Sequence, residues 1–246
     1  MFEKLKDKKY FIHKYPIFVN SIPKCGTNLM MNLVNAIPGI EYVNDYSMCH
    51  TYEDPEEAFE KLVKPEKKIV KGGLYVGHVP YSDSFNNWLK QNNVKQIFVI
   101  RDPRDFIVSL SHYVTRDAEK KHAYYDLYMD IAKSHQDRFK YLIEGFGEGV
   151  RKFITSHESI PNVKLVFGAY EKWLKNENSL TIPFEKIINP EVSQETMMKI
   201  LIFLDLKSIY AIKRASGILA KGTDSSRSRT FRKGEIGGWK KSFNSS

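Results

Sequence analysis

A chain of 246 residues with an apolar fraction of 42% is long enough for one large α/β domain or two small ones, with enough apolar content for a sizeable core. Its charges are interspersed rather than blocked, against long disorder, and no apolar run approaches the roughly 18 residues that span a bilayer. The formal net charge of +9 favours anionic partners, while two cysteines, Cys25 and Cys49, are too few for a disulfide framework and lack zinc spacing.

In chain order, the N-terminal MFEKLKDKKYF is polar and lacks the apolar core of a signal peptide, so a cytoplasmic protein is expected. Pro16 to Ile22 reads as a short buried strand, followed by a turn from Pro23 to Thr27. Leu29, Met30, Leu33, Val34 and Ile37 then fall at helical spacing, stopped by Pro38-Gly39. The pattern recurs at Gln96–Ile100, a second buried strand. Asp102 follows as an N-cap and Pro103 as the first helical residue, and Phe106, Ile107, Leu110 and Tyr113 mark the helix face.

Residues 116–157 read as mostly helical and polar, a surface or lid element. Leu180–Phe184 reads as a strand, with Pro183 suggesting an edge or a strand end. Met197, Met198, Leu201 and Ile202 carry a helix over 194–204, and the Gly, Ser, Thr and Arg of 217–229 predict a mobile loop. Strand–turn–helix units of this kind predict an α/β fold in which helices cover a central parallel sheet. No repeat, Pro-rich linker or low-complexity tract divides the chain, so 1–246 is expected to be one domain.

Three stretches carry chemistry. In Pro23-Lys-Cys-Gly-Thr-Asn28 a strand enters a tight turn and then a helix N-terminus, where backbone N–H groups and the helix dipole converge on a point suited to a phosphate. Gly26 permits close backbone approach, Thr27 adds a hydroxyl donor and Lys24 a charge. Ile100-Arg-Asp-Pro-Arg-Asp-Phe-Ile-Val-Ser109 places Arg101 at a strand end, and the planar fork of arginine suits a phosphate. Arg232-Lys-Gly-Glu-Ile-Gly-Gly-Trp239 sets Arg, Lys and Gly together in a basic stretch able to close on an anion. Each alone is ordinary: a βα turn, a helix cap, a basic tail.

Together they resemble the PAPS-dependent sulfotransferases of the cytosolic type, PAPS being 3′-phosphoadenosine 5′-phosphosulfate. That family carries P-K-S-G-T-x-W for the 5′-phosphosulfate, R-N-P-x-D-x-x-V-S for the 3′-phosphate and a late R-K-G-x-x-G-D-W-K. Here the stretches are PKCGTNL, RDPRDFIVS and RKGEIGGWK, in the same order. Tyr75-Val-Gly-His-Val-Pro80 stands where the family has its catalytic histidine, in K-T-H-L-P. Cys25 replaces the usual Ser, harmless if the backbone N–H makes the contact. Leu29 stands where a Trp often stacks on adenine, Val76-Gly77 replace Lys-Thr, and Gly238 replaces an Asp. The family's C-terminal dimer motif is missing, which leaves monomer or dimer undecided.

The resemblance implies transfer of a sulfuryl group from PAPS to the hydroxyl of a small-molecule or saccharide acceptor, leaving 3′-phosphoadenosine 5′-phosphate (PAP). His78 would be the general base and Lys24 would neutralise charge on the bridging oxygen, restrained by Ser109 until the acceptor binds. Gly26, Thr27 and Asn28 would hold the 5′-phosphate; Arg101, Ser109, Arg232, Lys233 and Gly234 the 3′-phosphate; Leu29 and Phe184 the adenine side. His112 reads as structural or acceptor-pocket lining, with that pocket expected in 44–56, 81–90 and 112–145. No metal is expected, since the seven histidines form no HxH or HxxxH pair. A nucleotide kinase would need G-x-x-x-x-G-K-[ST], which occurs nowhere in the chain. Neither a nucleic acid nor a membrane is expected as partner; basic residues are not interleaved with aromatics as stacking platforms for nucleic acid would be.

Overall fold

The computed structural model describes residues 13–47, 54–62, 69–115, 125–145, 162–206 and 234–243. Cys49, the loop expected at 217–229, Arg232, Lys233 and parts of the expected lid stretch lie outside the described residues.

Five strands form one sheet: β1 Ile17–Ser21, β2 Glu41–Ser47, β3 Gly73–His78, β4 Lys95–Ile100 and β5 Ser179–Pro183. Their order is β2-β3-β1-β4-β5, and every neighbouring pair is parallel. Coverage of the sheet on both faces explains why β1 is buried at all of its residues, its polar Asn20 and Ser21 included. Pro183, which cannot donate to a ladder, closes β5 at the sheet edge as its sequence position suggested. The outer strand β2 carried no strand signal, because its Tyr42 and Val43 are exposed and do not alternate with buried neighbours.

Helices α1 (Thr27–Asn35), α2 (Pro55–Leu62), α3 (Asp83–Gln91), α4 (Pro103–Thr115), α5 (Tyr125–Ile131), α6 (His135–Glu144) and α7 (Val163–Tyr170) follow in order. A 3-10 turn (Glu171–Lys175) continues α7, and α8 (Phe184–Ile188), α9 (Pro190–Phe203) and α10 (Trp239–Phe243) are the remaining helices among the described residues. Helix α4 starts as the sequence predicts, with Pro103 in its first position and the Asp102 Oδ1 accepting from Arg104 N at 2.8 Å. Helix α9 starts four residues earlier than expected, because Asn189 Oδ1 caps it by accepting from Glu191 N at 3.0 Å.

The sheet separates two apolar cores. Phe18, Tyr75 and Phe98 point into one with Phe85, Phe106 and Trp173; Val19, Val76, Val99 and Ile182 point into the other with Met30, Leu33 and Ile200. Helix α1 packs into the second core and α4 into the first, although they follow the adjacent strands β1 and β4. Their loops therefore diverge to opposite faces, opening a crevice at the carboxyl ends of the strands, where open α/β sheets bind ligands.

Candidate active site

The loop after β1 is shaped by two left-handed residues, Lys24 at φ 67° and Gly26 at φ 104°. Cys25 N–H donates to the Ile22 carbonyl at 3.1 Å and closes the turn, so this amide is engaged within the loop. Helix α1 begins at Thr27 with no capping side chain and no acid in its first turn, which leaves its positive end for an external anion. Gly26 is obligatory here: a Cβ would overlap Phe184 Cδ2 and stand 3.0 Å from Cε2. Asn28 is exposed on the first turn of α1, whereas Leu29 is 8% exposed and belongs to the core beneath. Burial pushes the Cys25 thiol up to about 12 despite the opposing pull of Arg101, so it is neutral packing and not a nucleophile.

His78 ends β3 beside this loop. Its Nδ1 lies 2.9 Å from the Ser21 carbonyl, and because a carbonyl only accepts, Nδ1 must carry the proton and donate. The other nitrogen, Nε2, is then the one with the lone pair. Ser21 Oγ is also 3.3 Å from Nδ1 and 2.5 Å from Thr27 Oγ1, a short chain from the histidine to the start of α1. The backbone after His78 is fixed by Asn20, which donates to the Val79 carbonyl and accepts from Val79 N, both at 2.9 Å. Trp173 Nε1 donates to the same carbonyl at 3.1 Å. Asn20 and Ser21, both fully buried, were not singled out from the sequence; polar side chains inside an otherwise apolar strand were the available signal.

On the other side of β1, Arg101 leaves the end of β4. It donates to the Glu235 carbonyl at 3.1 Å and lies 3.5 Å from the Lys24 carbonyl, with its guanidinium 4.6 Å from the Phe184 ring centroid. The three motifs therefore meet at one arginine. Its Nε is buried with no hydrogen-bond partner among the described residues, an orphaned donor in a basic crevice. Phe184, 4% exposed, is wedged between Arg101 and Gly26. Glu185 beside it accepts from Asp102 N at 2.9 Å. Asp102 is held below the usual carboxylate range by the Arg104 guanidinium, 2.6 Å away. Gly234 opens the described part of the C-terminal stretch, in the left-handed region at φ 60°.

Lys24 itself points toward α4, where its Nζ sits 3.8 Å from the Tyr113 ring centroid. Tyr113, one of the residues that mark the α4 helix face in sequence, is 37% exposed, and its ring meets Lys24. Ser109 is one turn earlier on α4 and so shares the side that meets Lys24. The His112 ring lies 4.2 Å from that of His135, tilted by 50°, and His135 Nδ1 is 3.1 Å from Ser111 Oγ, so the pair joins α4 to α6. Among the described residues no group of three or more His, Cys, Asp or Glu could hold a metal ion, and no helix is long and apolar enough to cross a membrane.

The same fold occurs in a mouse sulfotransferase complexed with PAP, at TM-score 0.61 and 19% identity, covering 96% of this chain and 82% of that one. It occurs also in a retinol dehydratase in complex with androsterone and inactive cofactor PAP, at TM-score 0.58 and 16% identity, covering 98% and 80%. In sequence, the chain is 25% identical over 199 residues to the cytosolic sulfotransferase 12 of Arabidopsis thaliana, which covers 79% of this chain. The chain spans 56% of that relative's length. The sulfotransferase domain family model matches residues 14–246, nearly the whole chain and every motif described above, and the chain belongs to that family.

Proposed function

We propose that this protein transfers a sulfuryl group from PAPS to the hydroxyl of a small-molecule acceptor, with His78 as general base. The observation that carries the reading is the 2.9 Å contact of His78 Nδ1 with the Ser21 carbonyl, which in the neutral ring leaves Nε2 as the nitrogen to accept a proton, next to a loop suited to a phosphate. Family membership and structural relatives complexed with PAP support the donor. The name of the Arabidopsis relative supports a cytosolic setting. Androsterone in the retinol dehydratase supports a small hydroxylated acceptor over a saccharide.

The residues fit such a donor. Arg101 has a buried Nε with no hydrogen-bond partner among the described residues, and α1 offers an uncapped N-terminus beside Lys24. Arg101, with Arg232, Lys233 and Gly234 of the C-terminal stretch, would read the 3′-phosphate. The amides at the start of α1 and the Thr27 hydroxyl would hold the 5′ end; if Ser21 Oγ donates to Thr27 Oγ1, the threonine proton is left to donate outward. His78 Nε2 would take the acceptor proton as the hydroxyl attacks in line, a contribution of about 10²–10⁴-fold. Lys24 would leave the Tyr113 ring for the oxygen that gains charge and stabilise it. Ser109, on the same side of α4, would steady the lysine.

Calorimetry and an acceptor screen with labelled PAPS test this. PAP should bind far more tightly than adenosine 5′-phosphate (AMP), which lacks only the 3′-phosphate, and Arg101→Ala should weaken PAP by about 1.5–3 kcal/mol. His78→Ala should bind PAP as wild type does while transfer falls by at least about 10²-fold. Undiminished transfer in folded His78→Ala would remove the histidine from the mechanism.

A further inference from the structure

We infer that Asp105 is the positioning residue that clamps the C-terminal segment Gly234–Trp239 onto the nucleotide site and so sets the preference for a 3′-phosphate, an inference that rests on the nucleotide reading above. Asp105 lies on the first turn of α4 and is 3% exposed. A carboxylate that buried needs donors, and it finds them far away in sequence: Gly237 N–H donates to Oδ2 at 2.8 Å and Trp239 N–H to Oδ1 at 2.9 Å. One carboxylate thus grips both sides of the turn that starts α10.

Two neighbours on the same motif hold the segment as well. Arg104 stacks its guanidinium 3.9 Å from the Trp239 ring centroid, and Arg101 takes the Glu235 carbonyl at 3.1 Å. Arg101 is the residue with the orphaned buried donor, so the clamp fixes the segment at the point where an anion would complete it. A carboxylate near a phosphate would ordinarily repel it. Here both oxygens of Asp105 are taken up by amides, so the group acts on the backbone and leaves the anion to the arginine.

The structure assigns the Asp105 carboxylate to a segment 132 to 134 residues away.

Asp105→Asn keeps the shape but puts an NH₂ where one amide must be accepted, removing at least one of the two bonds. Affinities for PAP and for AMP are measured on the full chain by calorimetry, with thermal melting to verify folding. The expected result is that PAP weakens by at least about tenfold, the size of one lost charge-assisted hydrogen bond, while AMP changes by less than about twofold. Amides of 234–243 should also exchange faster in the variant without nucleotide. Parallel loss for PAP and AMP, or no loss for either, would overturn the clamp while leaving the wild-type preference for PAP intact. A wild type that binds both equally would instead overturn the nucleotide reading itself. Should Asp105→Asn not fold, Arg104→Leu must show the same split in smaller measure, because it releases the segment from the exposed side; equal effects on both nucleotides there would sink the proposal.

Discussion

Gly26→Ala tests how the phosphate loop is built. Two separate costs apply. The residue sits at φ 104°, outside the regions a side chain tolerates, and the left-handed penalty is about 1–2 kcal/mol. The new Cβ also overlaps Phe184 Cδ2 and stands 3.0 Å from Cε2, and the ring cannot retreat because the Arg101 guanidinium lies 4.6 Å from its centroid. Overpacking of this kind costs about 1–3 kcal/mol. Together, Gly26→Ala should destabilise the protein by about 2–5 kcal/mol. In a Phe184→Val background the ring is gone and only the backbone penalty of about 1–2 kcal/mol remains. Urea unfolding of the four proteins of this cycle, followed by near-ultraviolet circular dichroism, gives the coupling directly. A coupling of about 1–3 kcal/mol is expected, and effects additive to within about 0.5 kcal/mol would refute the close packing of Phe184 on the loop.

The strain at Lys24, φ 67°, separates two variants that both lose the charge: Lys24→Gly should be more stable than Lys24→Ala by up to about 1 kcal/mol in urea unfolding, and equal stabilities would deny the strain. Tyr113→Leu removes the ring 3.8 Å from the Lys24 Nζ, so PAP binding should tighten by about 0.5–1 kcal/mol, roughly 2–5-fold by calorimetry; weaker binding would show that the ring helps the nucleotide instead. Cys25, fully buried with its thiol pushed up from 9.0 to about 12, should resist a disulfide reagent at pH 8 until the protein unfolds. Because its folded value is the raised one, its contribution to stability is whole below pH 9 and fades as pH climbs toward about 12, a slope that Cys25→Ala should lack.

What local pattern controls was readable in the sequence. The turn Pro23–Thr27 stands between two apolar runs of different period, so strand, loop and helix were visible together, and Asp102-Pro103 marked the start of α4 by capping chemistry alone. The parallel sheet followed from repetition of that unit. Contacts made across long separations left no such trace. Asn20 bonds to Val79, 59 residues on, and in sequence it is one polar letter inside a buried strand. Tyr113 falls at the spacing of a core face, and only the direction from which the loop after β1 approaches α4 turns its ring to Lys24. Phe184 was placed near a ligand by resemblance, but its packing on Gly26 and under Arg101 needed three elements in register.

The order of strands explains why the chemistry collects where it does. Across the sheet, β3, β1, β4 and β5 end in turn with His78, the Lys24 loop, Arg101 and Phe184. Neighbouring strands lie about 4.8 Å apart, so His78 and Arg101 stand on strands separated by about 10 Å, with the Lys24 loop between them. Such a row suits a ligand held at one end, reacting in the middle and meeting its partner at the other end. The divergence of α1 and α4 to opposite faces keeps the middle open, because neither helix can cover the loop that the other leaves. Helix α4 then reaches back over the row: Asp105 near its start holds the C-terminal segment and Tyr113 near its end holds Lys24. One helix thereby contacts both the C-terminal segment and Lys24, and a tilt of α4 would move the two together.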